Sequence, residues 1–197
     1  MEDERYYAQE GFVIENGKLL EYKGKEENVI IPDCVKIVGT HALGYNVKRV
    51  FFPAGVEKLE PVPFTSNLNL EEIEVDKANP YYYSQDNCLI ERATKKIIRG
   101  TRLSIIPQDG SVTSIAEFAF AYVDCACLYI RNCISVIERC AFYDNCEVTL
   151  AIEAKSKPDG WADNWDNNQG ETWDEVWWEA GPADLLLQWD TDFSDDD

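Results

Sequence analysis

One pattern of apolar and polar positions recurs along the chain. An apolar pair runs into a proline or polar turn. A Val or Ile follows, then two polar residues, a second aliphatic residue, and a small residue ahead of an aromatic one. Val29-Ile-Ile-Pro-Asp-Cys-Val-Lys-Ile-Val-Gly-Thr-His-Ala-Leu43 is the first copy, and the run Val50 to Leu59, leading to Phe64, is the second. Ile105 to Phe120 and Tyr129 to Phe142 are the third and fourth. Pro32 and Pro53 lie 21 residues apart, Pro107 and its counterpart Arg131 lie 24 apart, and Pro32 and Pro107 lie 75 apart. Short β-branched runs at this period predict strands, one coil of chain per copy, with Ala and Phe at fixed offsets pointing inward. Two further segments, Gly11 to Leu20 and Asn87 to Ile98, each place apolar runs on both sides of a polar turn (Glu15-Asn-Gly17 and Glu91-Arg-Ala-Thr94), which predicts β-hairpins.

These residues resemble the BspA-like leucine-rich repeats, whose pattern is an apolar pair, Pro, then Val-x-x-Ile-x-x-x-Ala-Phe-x-x-Cys. Ser114 to Phe120 and Val136 to Cys146 follow it closely. The second copy departs from it at Pro61, Val62 and Pro63, and a distorted coil is expected there. Asn79-Pro-Tyr-Tyr-Tyr-Ser-Gln-Asp86 is similar to the segment that precedes a hairpin in that family, and Lys157 to Trp165 with the later Val176-Trp177 is similar to its terminal motif. The expected fold is therefore a β-rich leucine-rich repeat solenoid, a short right-handed coil of strands with short turns or helices and inserted β-hairpins. Its expected parts are an N-terminal capping hairpin (1–28), the solenoid (29–158) with an inserted hairpin near 79–100, a Trp-rich C-terminal cap (159–180) and an acidic tail (181–197). Trp161, Trp165 and Trp177 are expected cap residues, because aromatic groups bury large areas and a stack of coils needs its ends covered.

Charge sharpens this picture. The net charge is −19, and residues 159–197 carry 13 acidic and no basic side chains, so that most of the excess sits at the C-terminus together with all six tryptophans. Such a balance disfavours direct nucleic-acid binding and anionic membranes, which need Lys and Arg to displace counterions. No run approaches the roughly 18 apolar residues of a membrane span, and the N-terminus lacks a basic region followed by an apolar stretch, so the chain reads as cytoplasmic, with a secreted or cell-surface protein as the alternative if a signal peptide has been removed. Seven cysteines without an export signal read as reduced thiols.

Catalytic chemistry finds little support. The one histidine, His41, sits between Gly39 and Ala42 and is more simply a turn residue than half of a dyad with Cys34. Cys125-Ala-Cys127 with Cys133, Cys140 and Cys146 lacks the paired Cys-x2-4-Cys spacing of zinc sites; small buried hydrophobes are the better account. There is no phosphate loop or dinucleotide fingerprint, so no cofactor and no enzymatic activity are expected. The expected function is protein binding, which is also what the resemblance implies. The alternative is an acidic decoy that occupies the basic groove of a nucleic-acid-binding protein.

The tail from Ala183 to Asp197 places apolar residues among six acids. Leu185, Leu186, Leu187, Trp189 and Phe193, with Trp178 before them, are the candidate partner-binding residues. Such a segment either orders on a basic, apolar-lined partner or packs back on the last coil.

Overall fold

The first, second and fourth copies of the repeat each form a coil with two short strands, the third carries one, and successive coils stack so that like strands pair in parallel. A computed structural model describes residues 11–62, 64, 69–123, 125, 127–143, 145, 148–166 and 185–193. The strands begin with the hairpin β1 (Phe12–Glu15) and β2 (Lys18–Tyr22). The first coil carries β3 (Asn28–Ile30) and β4 (Ile37–Val38), and the second β5 (Arg49–Phe52) and β6 (Lys58–Leu59). β7 (Glu72–Val75) precedes the inserted strands β8 (Tyr82–Gln85), β9 (Cys88–Glu91) and β10 (Lys96–Arg99). β11 (Ser114–Ile115), β12 (Cys127–Ile130), β13 (Val136–Ile137), β14 (Thr149–Ile152) and β15 (Leu186–Gln188) complete the set. The result is a β-solenoid of about six turns, without helix among the described residues. Among the described residues, turns, bends and irregular stretches make the connections.

One wall consists of the sheets β3-β5-β7 and β12-β14-β15, the other of β1-β2-β4-β6 and β8-β9-β10-β11-β13. Parallel register puts equivalent residues in contact. Val29, Val50 and Ile73 form one inward ladder, and Ile97, Ile115, Ile137 and Trp161 another. All of these side chains are buried. The same turn recurs after each apolar pair: the Val35, Val56 and Ile134 amides donate to the Pro32, Pro53 and Arg131 carbonyls at 2.9, 3.3 and 3.0 Å. At the opposite corner His41, Val62, Phe118 and Cys140, each one residue before the small-residue position, adopt φ between 51° and 58°. The second coil thus keeps the common corner at Val62, and Phe64 stays buried against Phe52 with ring centroids 6.0 Å apart. A corner that reverses the chain in one residue needs this left-handed conformation, which costs non-glycine residues energy that the packed stack must offset.

The inserted strands divide the interior into two apolar clusters. β9 serves both, with Leu89 in the first cluster and Cys88 and Ile90 in the second. Asn79 fixes the insertion to the second coil. Its buried Nδ2 donates to the Pro53 and Val56 carbonyls, both at 3.0 Å, while its Oδ1 accepts from the Tyr81 and Tyr82 amides at 2.8 and 2.9 Å. At the C-terminal end Trp165 continues the aromatic stack of Phe120 and Phe142, and Trp161 lies 4.8 Å from Trp165. The two tryptophans take the places that Ile137 and Phe142 hold one coil earlier, so they cover the core by extending the repeat.

Asn79→Ala leaves two buried carbonyls and two amides without this partner, at about 1–3 kcal/mol for each group that stays unmatched. Urea denaturation is expected to show a loss of about 3 kcal/mol; a loss below about 1 kcal/mol would mean that the asparagine does not anchor the insertion.

Candidate functional site

Alternation along a strand dictates that when Ile31, Ile106 and Ile130 point inward, the residue before each points out. That residue is Ile30, Ile105 and Tyr129 in three coils, 71%, 60% and 43% exposed, and in the second coil it is Phe51. Ile30 pairs with Phe51, and Phe51 with Glu74. The outer face of β3, β5 and β7 carries a groove of about 310 Å³ lined by Asn28, Ile30, Arg49, Phe51, Glu72 and Glu74. The equivalent position is Glu74 in β7 and the buried Ala151 in β14, so four coils present an apolar residue there.

Charge on the solenoid is organised between coils. Lys48 meets Glu27 at 3.0 Å, Lys36 meets Glu57 at 3.4 Å, Arg49 meets Glu72 at 3.1 Å, and Arg139 pairs with Glu117. Each joins side chains 21–23 residues apart, the length of one coil. Exposed pairs of this kind contribute little individually. Their main consequence is that these four carboxylates each stand beside a cation of the neighbouring coil.

A cleft of about 290 Å³ separates β6 from β9 and β10 and is lined by Glu60, Glu91, Lys96, Arg99, Glu117 and Glu138 among others. Glu60 accepts from Lys18 Nζ at 2.8 Å, and that bond holds its carboxyl below the ordinary range. Lys96 pairs with Glu138. Arg99 is buried, donates from Nη1 to the Phe118 and Ala121 carbonyls at 3.2 and 2.9 Å, and is pulled down to about 10 by its burial. No Cys, His or Ser stands among the described lining residues. The arginine's bonds to corner carbonyls make it a structural clamp.

The thiols and the histidine are placed as parts of the repeat. His41 is the left-handed corner residue of the first coil, its amide donating to the Val62 carbonyl at 3.1 Å, and Cys34 lies in the turn after Pro32. Cys88, Cys125 and Cys140 are buried. Burial pushes the Cys88 thiol up to about 12. No group of three or more His, Cys, Asp or Glu among the described residues could hold a metal ion. Cys146 and Trp177 lie outside the described residues.

The tail residues singled out by sequence separate into two sets. Leu185, Leu187 and Trp189 are half-buried against the second cluster, with Leu187 paired to Leu150 and Trp189 5.9 Å from Trp161 and 6.4 Å from Trp165. Leu186 points outward and is 59% exposed. Phe193 is buried, yet it belongs to neither interior cluster: its ring lies 5.5 Å from Tyr129, and the Arg131 guanidinium stands 5.5 Å from the ring centre. It therefore sits on the outer row. Trp178 lies outside the described residues. The row itself was not among the sequence candidates, although the apolar pair before each proline carried the signal: the second member is core, and alternation turns the first outward.

No protein-family model matches the sequence, and no curated protein matches it. The fold is similar to a leucine-rich cell surface protein from Faecalibacterium prausnitzii, with a TM-score of 0.54 at 18% identity over 68% of this chain and 43% of that one. A leucine-rich repeat protein from Eubacterium ventriosum aligns with a TM-score of 0.45 at 17% identity over 66% and 44%. The pneumococcal vaccine antigen PcpA aligns with 0.44 at 13% over 85% and 55%. This chain spans less than half the length of the first two. The protein has the leucine-rich repeat β-solenoid fold. No helix among the described residues is long and apolar enough to cross a membrane.

Alkylation of the native protein at pH 8, mapped by peptide mass, is expected to modify the exposed Cys34 within minutes and to leave Cys88 unmodified until the chain is unfolded. Equal rates at the two would contradict the burial of Cys88.

Proposed function

We propose that this protein is a non-enzymatic protein-interaction scaffold that holds its partner on the outer row Ile30, Phe51, Ile105 and Tyr129. The observation that carries this is the recurrence of an outward apolar side chain at the same repeat position in four coils, exposed at Ile30, Ile105 and Tyr129 and part-buried at Phe51. Scattered apolar residues are ordinary on any surface, but residues that recur at one repeat position along a solenoid wall offer spaced anchors to an extended partner. The leucine-rich cell surface protein from Faecalibacterium supports an interaction role by likeness of fold, and its location speaks for a secreted or cell-surface setting. The free Cys34, Cys88, Cys127 and Cys133 thiols speak for a reducing compartment such as the cytoplasm. Charge pairing between coils favours the apolar row over the decoy reading, in which carboxylates aligned on one face would fill a basic groove.

Ile30→Asp combined with Ile105→Asp tests this reading. Both side chains are already exposed, so the melting temperature is expected to fall by only a few degrees. Each isoleucine buried by a partner contributes about 1.5–3 kcal/mol, so binding of a partner captured from native lysate should weaken by about a hundredfold. Loss of binding in high salt with no effect of the double substitution would favour the decoy; binding indifferent to both would remove the row from the function.

A further inference from the structure

We infer that the open side of β14, with Tyr129 and Arg131 beside it, is a binding site for an extended segment bearing aliphatic and aromatic anchors, and that the chain's own residues Leu185–Phe193 fill it until a partner's segment of lower negative charge displaces them. This rests on the row being the partner surface. The tail shows how such a segment binds. Leu186 to Gln188 add to β14 as a parallel strand, the Leu186 amide donating to the Val148 carbonyl at 2.9 Å. The Thr191 and Asp190 amides then reach the Ile152 and Ala154 carbonyls at 2.9 and 3.1 Å. Trp189 rests on the terminal tryptophans, and Phe193 crosses to the outer wall, between the Tyr129 ring and the Arg131 guanidinium. A buried aromatic on the partner-facing side of a scaffold is a ligand contact supplied in cis.

Three features make the segment displaceable. β15 has a single neighbour, whereas β14 has two. Its inward side chains Leu185, Leu187 and Trp189 remain half-buried, in contrast to the fully buried ladder Leu128–Leu150 beneath them. The segment also lies in a stretch with 13 acidic and no basic side chains, docked on a chain that is itself acidic, so long-range charge opposes docking while local anchors hold it. Elements with few buried contacts open at low free energy. Strand addition to such an edge supplies affinity through main-chain bonds and specificity through side-chain pockets. The competing segment is therefore expected to pair aliphatic residues at alternate positions with aromatics spaced as Trp189 and Phe193.

A fluorescent peptide of residues 185–193 titrated into full-length protein tests this. Weak binding is expected to the unaltered chain, binding about tenfold tighter to Phe193→Ala and to Trp189→Ala with Phe193→Ala, and none to an oxidised Ala151→Cys, Gln188→Cys protein, in which a disulfide joins paired positions of β14 and β15. Reduction of that disulfide should restore binding. Peptide binding to none of these proteins, or equal binding to the locked and unlocked forms, overturns the inference. Partner capture by the locked protein separates the two levels. Undiminished capture that is still lost with Ile30→Asp and Ile105→Asp overturns displacement and leaves the scaffold standing, whereas capture indifferent to those substitutions overturns the scaffold reading itself.

Discussion

The structure depends on coil-to-coil burial. A coil of 21 to 24 residues carries one or two strands too short to bury anything alone, and its Val, Ile and Phe side chains become core only when the next coil lies against them. Parallel register then puts each inward residue on its own equivalent, Ile97 on Ile115 on Ile137, so the same small set of side chains is selected in every copy. The constraint reaches the backbone too. A coil closes on itself only by reversing at the corner, and His41, Val62, Phe118 and Cys140 accept a left-handed conformation there although none is glycine.

Because the inner positions are committed, variation is left to the outer ones. Arg49 opposite Glu72 and Lys48 opposite Glu27 use it for pairs between coils, while Ile30, Phe51, Ile105 and Tyr129 leave apolar surface in solvent. The same division places His41, Arg99 and the buried thiols at corners and core positions where packing sets their surroundings, and Arg99 in particular donates to the Phe118 and Ala121 carbonyls.

The ends of the stack are where this logic changes. An interior coil has a neighbour on each side, and an end coil must be covered by something that is not a full repeat. Trp161 and Trp165 do so by standing where Ile and Phe would stand in another coil, large rings taking the place of a whole layer. Leu185 to Trp189 add one more partial layer, and Phe193 leaves the interior for the outer wall. Among the described residues, the terminal cover and the outer wall meet at Tyr129, where Phe193 rests.

Sequence by itself determined the repeat, its period, the inward residues and the hairpin signals, because periodic burial is written as periodic apolar residues and turns are written as Pro, Gly and Asn. It also located the tryptophan end and the acidic excess. Pro61 and Pro63 mark the second coil for distortion, and at Val62 that coil nevertheless shares the φ of the other corners. Only the tertiary structure decided which member of each apolar pair faces solvent across all coils, that Asn79 ties the insertion to Pro53 and Val56, and that Phe193 lies on Tyr129 while Leu187 and Trp189 lie within. These are contacts between residues 21 to 64 positions apart, or between a tail without any repeat and a wall whose register is set elsewhere; they depend on how coils stack, and local pattern carries no record of that.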